Sequence, residues 1–129
     1  MSIVVNAKND KLSQGTWVEY AGSQFLIAHS SNMKFQRVFA RLQAPHRSKI
    51  DKGTLDPEMS KNLICKAFSQ ALILGWKDVI DSEGAPVEFT EDMAYQALMN
   101  NPDLLEYVQE VSNNLAYYKD EETAALGKS

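Results

Sequence analysis

Residues 56–75, DPEMSKNLICKAFSQALILG, form the stretch whose reading decides the fold. Asp56 offers a side-chain oxygen to free backbone N–H groups, Pro57 suits a first helical position, and Glu58 meets the positive end of a helix dipole. Met59, Leu63, Ile64, Ala67, Phe68, Ala71 and Leu72 then recur at steps of three or four, which draws one apolar stripe along a helix. Ile73 and Leu74 widen the stripe, so the C-terminal end is expected to be buried nearly all round. Gly75 is expected to end the helix in a left-handed conformation, with Trp76 closing its apolar end.

Upstream, Thr16-Trp17-Val18-Glu19-Tyr20 and Gln24-Phe25-Leu26-Ile27-Ala28 flank a break that contains Gly22. Aromatic and branched residues on both sides of a Gly turn predict a β-hairpin. A lone hairpin is marginal in water, so it must rest on helices or pair with another chain. Ser30-Ser31-Asn32 supplies caps for a helix carrying Met33, Phe35, Val38, Phe39 and Leu42, which should stop before Pro45. Residues 46–54 hold three cations, His46 and one branched apolar residue and read as an exposed, mobile loop. Residues 1–15 read as a mobile arm or weak edge strand.

Downstream, Asp81-Ser82-Glu83-Gly84-Ala85-Pro86 is turn chemistry, and Val87-Glu88-Phe89 is a short extended piece. Thr90-Glu91-Asp92 caps a helix with Met93, Ala94, Ala97 and Leu98 on its inner face. Asn100-Asn101-Pro102-Asp103 stops it and starts another, whose stripe is Leu104, Leu105, Val108, Val111 and Leu115, with Tyr107 and Tyr118 on the flank. Residues 120–129 read as an acidic, frayed tail. The expected fold is mainly α: one domain over 1–129, a helical body of four to five helices with an N-terminal β-hairpin.

Composition narrows the function classes. The chain has 129 residues, 44% hydrophobic and 23% charged, which is neither collagen-like nor broadly disordered. No apolar run reaches membrane-spanning length, and residues 1–6 show no secretory pattern. The single cysteine, Cys65, excludes an internal disulfide and a cysteine-based zinc site, so a reducing compartment is expected. Net charge is −4, yet it is unevenly spread. Residues 1–77 hold 11 Lys and Arg against 5 Asp and Glu, a net of +6; residues 78–129 hold 2 against 12, a net of −10. Three readings stay open: the halves neutralise each other, copies associate head to tail, or each half docks a different partner.

No catalytic constellation stands out. His29 and His46 have no ligand-spaced companion, and Cys65 sits on an apolar helix stripe. A calcium loop starting at Asp78 fails, because Glu83 falls where Gly is required and Phe89 where Glu is required. No phosphate-binding Gly-rich loop is present, since the terminal Gly127-Lys128-Ser129 lacks the upstream Gly. No catalytic, cofactor-binding or metal set is therefore assigned. Arg37, Arg41, Arg47, Lys49 and Lys52 form a basic surface with little aromatic interleaving, which argues for a solvated face or a protein partner ahead of nucleic acid. With Trp76 they are the candidate partner-binding residues.

Three stretches resemble a known family. In residues 75–93, GWKDVIDSEGAPVEFTEDM, the residues Trp76, Lys77, Val79, Asp81, Gly84, Val87, Phe89 and Thr90 resemble the corresponding segment of the tail assembly chaperones of long, non-contractile-tailed bacteriophages. Residues 100–122, NNPDLLEYVQEVSNNLAYYKDEE, are similar to the Asn-Pro break, amphipathic helix and acidic tail of that family. Residues 25–42, FLIAHSSNMKFQRVFARL, are similar to its opening strand-to-helix passage. The resemblance implies a small, mostly helical, non-enzymatic protein of the host cell cytoplasm. It would bind the tape-measure protein, act with the tail-tube protein through its own frameshifted long form, and be absent from the finished virion. The ending Leu126-Gly127-Lys128-Ser129 is compatible with the short, non-frameshifted form. Homo-oligomers are a further expectation, and no cofactor or membrane is implied. Two rivals stand beside this reading: a head–tail adaptor that stays in the virion, and a small nucleic-acid-binding regulator.

Overall fold

The order of elements follows from where the chain is capped and where it runs out of partners. The computed structural model describes residues 10–119. One helical turn, α1 (Lys11–Gln14), leads into β1 (Thr16–Tyr20) and β2 (Ser23–Ile27). Helix α2 (Met33–Gln43) runs through a 3-10 turn (Ala44–His46) into the short α3 (Arg47–Asp51). Then come α4 (Pro57–Ala71), β3 (Ile73–Lys77), α5 (Glu91–Asn100), α6 (Pro102–Ser112) and a final 3-10 turn (Leu115–Tyr118). The fold is mainly α with an N-terminal hairpin, as expected.

The hairpin turn is tight because both central residues accept positive φ: Ala21 at 53° and Gly22 at 82°. That geometry matches the twist of the flanking strands. Helix caps fall where the sequence placed them. Asn32 accepts from the Phe35 N–H, Asp56 from Glu58 and Thr90 from Met93, each contributing about 1 kcal/mol.

The C-terminal end of the decisive stretch departs from expectation. Helix α4 ends at Ala71, and Ile73 to Lys77 form a third strand. Gly75 is not a left-handed helix cap; it lies in β3 opposite Leu26. The cause is the hairpin's unpaired inner edge. An apolar run such as Leu72-Ile73-Leu74 suits a buried helix or a strand equally, and β2 needs an antiparallel partner. The sheet order is β1-β2-β3, with a bulge between Leu26 and Ile27.

Two further corrections concern the cationic stretch and the last helix. Ala44 keeps helical angles (φ −53°, ψ −46°) despite preceding Pro45, and residues 47–51 coil into α3 instead of a loop. Helix α6 stops at Ser112, so Leu115 is 60% exposed while Tyr118 is fully buried. Asn114 caps the closing turn by accepting from Ala116, and that turn carries Tyr118 back into the core. Met33, expected among core residues, is 63% exposed. Of the expected N-terminal arm, residues 1–9 lie outside the described residues, as does the acidic tail, 120–129. Residues 11–14 are helical, and Leu12 packs on the core.

One apolar cluster joins sheet and helices. Helix α4 packs against α2 on one side and α5 on another, while the sheet lays Phe25, Ile27, Ile73 and Trp76 on the cluster. Leu98, Val108 and Val111 complete its buried centre.

Candidate functional site

Two surfaces of opposite sign stand out, and the sequence-derived residues divide between them. On α2, Lys34, Arg37 and Arg41 sit at helical spacing and line one depression of about 480 Å³ together with Gln70 and Glu91. Glu91, in the first turn of α5, thus places one carboxylate beside these three cations. Arg47, Lys49 and Lys52 project from α3 and its end. All five cations named from the sequence are exposed, and among the described residues their side chains make no hydrogen bond or ion pair. Lys49 lines a second depression with His46, Met59, Asn62 and Met99.

Between α2, α3 and α4 lies an apolar hole of about 250 Å³, walled by Phe39, Ile50, Leu55, Leu63 and Ile64. Ile50 belongs to the same short helix as Arg47 and Lys49, so the hole lies beside a mostly basic helix that also carries Asp51. The apolar walls are continuations of the α2 and α4 stripes beyond the point where the helices part. The sequence held that signal only as a single Ile among cations.

Trp76 belongs elsewhere. It is 9% exposed, with its indole N–H donating to the Val87 carbonyl at 2.8 Å. Phe25 and Phe89 meet its ring edge-on, at centroid distances of 6.2 and 5.3 Å. It forms part of the floor of a groove of about 700 Å³, with Tyr20, Phe25, Val79, Met93 and Leu104. It lines neither the depression of Arg37 and Arg41 nor that of Lys49, and shares one with Lys77 instead.

The connector after Trp76 rims this groove. It is a small hairpin: the Val87 N–H donates to Val79, the Asp81 N–H to Ala85, and Ile80 bridges Pro86. Asp81 ties its tip by accepting from the Glu83 and Ala85 N–H groups, and Gly84 closes the turn at φ 82°. Alternation along this ribbon turns Val79 inward and leaves Ile80 62% exposed. The segment 78–89 carries Asp78, Asp81, Glu83 and Glu88 and no cation, while Lys77 lines one depression together with Asp78, Ile80 and Glu88. Sequence reasoning passed over Ile80; the signal was its place next to Val79 just before an Asp-to-Gly turn.

Among the described residues, four titratable groups depart from their ordinary values: His29, Cys65, Tyr107 and Tyr118. No three His, Cys, Asp or Glu side chains group to hold a metal ion there. Burial pushes the Cys65 thiol up, against a smaller opposite effect of Lys61. Burial holds His29 below its ordinary 6.5. Its Nδ1 accepts from the Ser31 N–H, and its ring meets Tyr118 edge-on at 5.1 Å. No helix among the described residues is long and apolar enough to cross a membrane.

A family model described as YdaY prophage protein matches residues 29–128. That span covers α2 through the closing turn, including both charged surfaces. The chain belongs to this family, and a phage-derived origin follows. No curated protein and no solved structure matches it.

Proposed function

We propose that this member of the YdaY prophage protein family is a phage tail assembly chaperone, which holds tape-measure and tail-tube polypeptides without making or breaking a bond. The observation that supports this most is the open groove floored by Phe25, Trp76 and Leu104. Its lining is largely apolar and is left open by the described residues, which suits transient burial of an extended or helical segment from another chain. The cation row Lys34, Arg37 and Arg41 adds an electrostatic approach surface for acidic stretches of the same clients. Work in the host cytoplasm, before the virion is complete, accords with the resemblance of residues 75–93 to the chaperone family.

Capture of a tape-measure fragment by the purified chain tests the reading. Met93→Lys in the groove and the pair Arg37→Glu with Arg41→Glu should each reduce capture, the charge pair also reducing its salt sensitivity. Equal capture by all three proteins, or the chain's presence in finished particles, would overturn the proposal. The latter result would favour a head–tail adaptor. Retardation of DNA or RNA at low salt, lost steeply as salt rises, would favour a nucleic-acid regulator.

A further inference from the structure

The chain carries an exposed apolar knob and an apolar hole whose charged neighbours are mostly of opposite sign. The knob is Ile80, 62% exposed on the connector hairpin, sharing its depressions with Asp78, Asp81 and Glu88 and with one cation, Lys77. The hole is the pocket of about 250 Å³ walled by Phe39, Ile50, Leu55, Leu63 and Ile64, room enough for one branched aliphatic side chain. Arg47, Lys49 and Lys52 stand beside it on α3, with Asp51 the only acid of that helix. Knob and hole share no lining residue, so within one chain they are separate surfaces.

We infer that Ile80 of one copy seats in the Phe39–Ile50–Leu63 pocket of a second copy, with the connector carboxylates against the α3 cations. The occupant is a second copy because this same sequence supplies both halves of the complementarity: an exposed apolar residue with mostly acidic neighbours, Lys77 being the exception, and an apolar recess beside the mostly basic α3. Burying Ile80 supplies attraction, and the charges set partner and orientation. Because the two surfaces differ, the contact is head to tail. Repetition either closes a ring or extends a filament. The inference does not depend on the chaperone reading, since it concerns the purified chain alone.

Sedimentation of the full-length chain over a range of concentrations, at about 50 mM and about 500 mM salt, tests it. Association is expected at low salt and should weaken at high salt. Ile80→Asp should weaken it about tenfold or more. Its side chain is exposed, so an unchanged circular dichroism melt should confirm intact folding. Lys49→Glu with Lys52→Glu should abolish association alone, as should Glu83→Lys with Glu88→Lys. Mixing these two variants should restore a complex, because each retains the half that the other lacks. A wild type that stays monomeric throughout would overturn the inference. So would association indifferent to Ile80→Asp, or a mixture that fails to recover a complex.

Discussion

The acidic connector and the cationic α2–α3 arm are both exposed, yet they are held in different ways. The connector is fastened by side chains: Asp81 accepts two backbone N–H groups at its tip, and Trp76 donates to Val87 at its base. The α3 cations hold nothing; their side chains have no hydrogen bond or ion pair among the described residues. A tied hairpin carries mostly negative charge beside an exposed apolar residue, while a short helix carries mostly positive charge beside an apolar recess. The difference teaches that charge on this surface is positioned by the connector's internal bonds on one side and by backbone coiling alone on the other. Charge changes should therefore affect folding very unequally.

The largest effect is expected at Trp76. Trp76→Ala removes a buried ring and the bond that fixes the connector's base, and should cost about 3–5 kcal/mol in chemical denaturation. Asp81→Ala should cost about 1–2 kcal/mol and speed hydrogen exchange at Glu83 and Ala85, because two N–H groups lose their acceptor. By contrast, Lys49→Ala and Lys52→Ala should leave the melting midpoint within error. If they cost as much as Asp81→Ala, the distinction between the regions fails.

The scaffold common to both regions has its own pH response. Burial lowers the folded His29 pKa below the ordinary 6.5, so the unfolded chain binds the proton more tightly. The stability contribution is complete above about pH 6.5 and is lost as pH falls through the unfolded and then the folded value. Protonation at Nδ1 would also set two donors face to face at the Ser31 N–H. Stability of the wild type should therefore decline on acidification below pH 6.5, and His29→Gln should flatten that decline. One small expected effect is a gain. Ala21 occupies φ 53°, where Asn is better tolerated, and Ala21→Asn should stabilise by about 0.5–1 kcal/mol.

Legibility in the sequence tracked locality. The caps at Asn32, Asp56 and Thr90 and the stripe of α4 depend on neighbours within a turn, and all were readable. The hairpin was readable because Gly22 sits between two β-rich flanks. Strand β3 was not, since Ile73 to Lys77 becomes a strand only because Phe25 and Leu26 wait across the sheet. Tyr118 was placed on a helix flank, whereas the Asn114-capped turn buries it, a consequence of where α6 stops. At the candidate site the five cations and Trp76 were visible as residue types. Their division between two surfaces was not, because it depends on α3 folding beside α4 and on Trp76 entering the sheet. Ile80 escaped notice because an apolar residue in a connector says nothing of its exposure until the ribbon's alternation is known.

Hydrogen exchange followed by mass spectrometry, on the wild-type chain at rising protein concentration, most directly tests whether the acidic knob and the basic hole meet. Protection should grow in residues 47–55 and 78–89 together, and return to baseline at high salt. Growth in only one of these segments, or in neither, would contradict the idea that the two surfaces were shaped for each other.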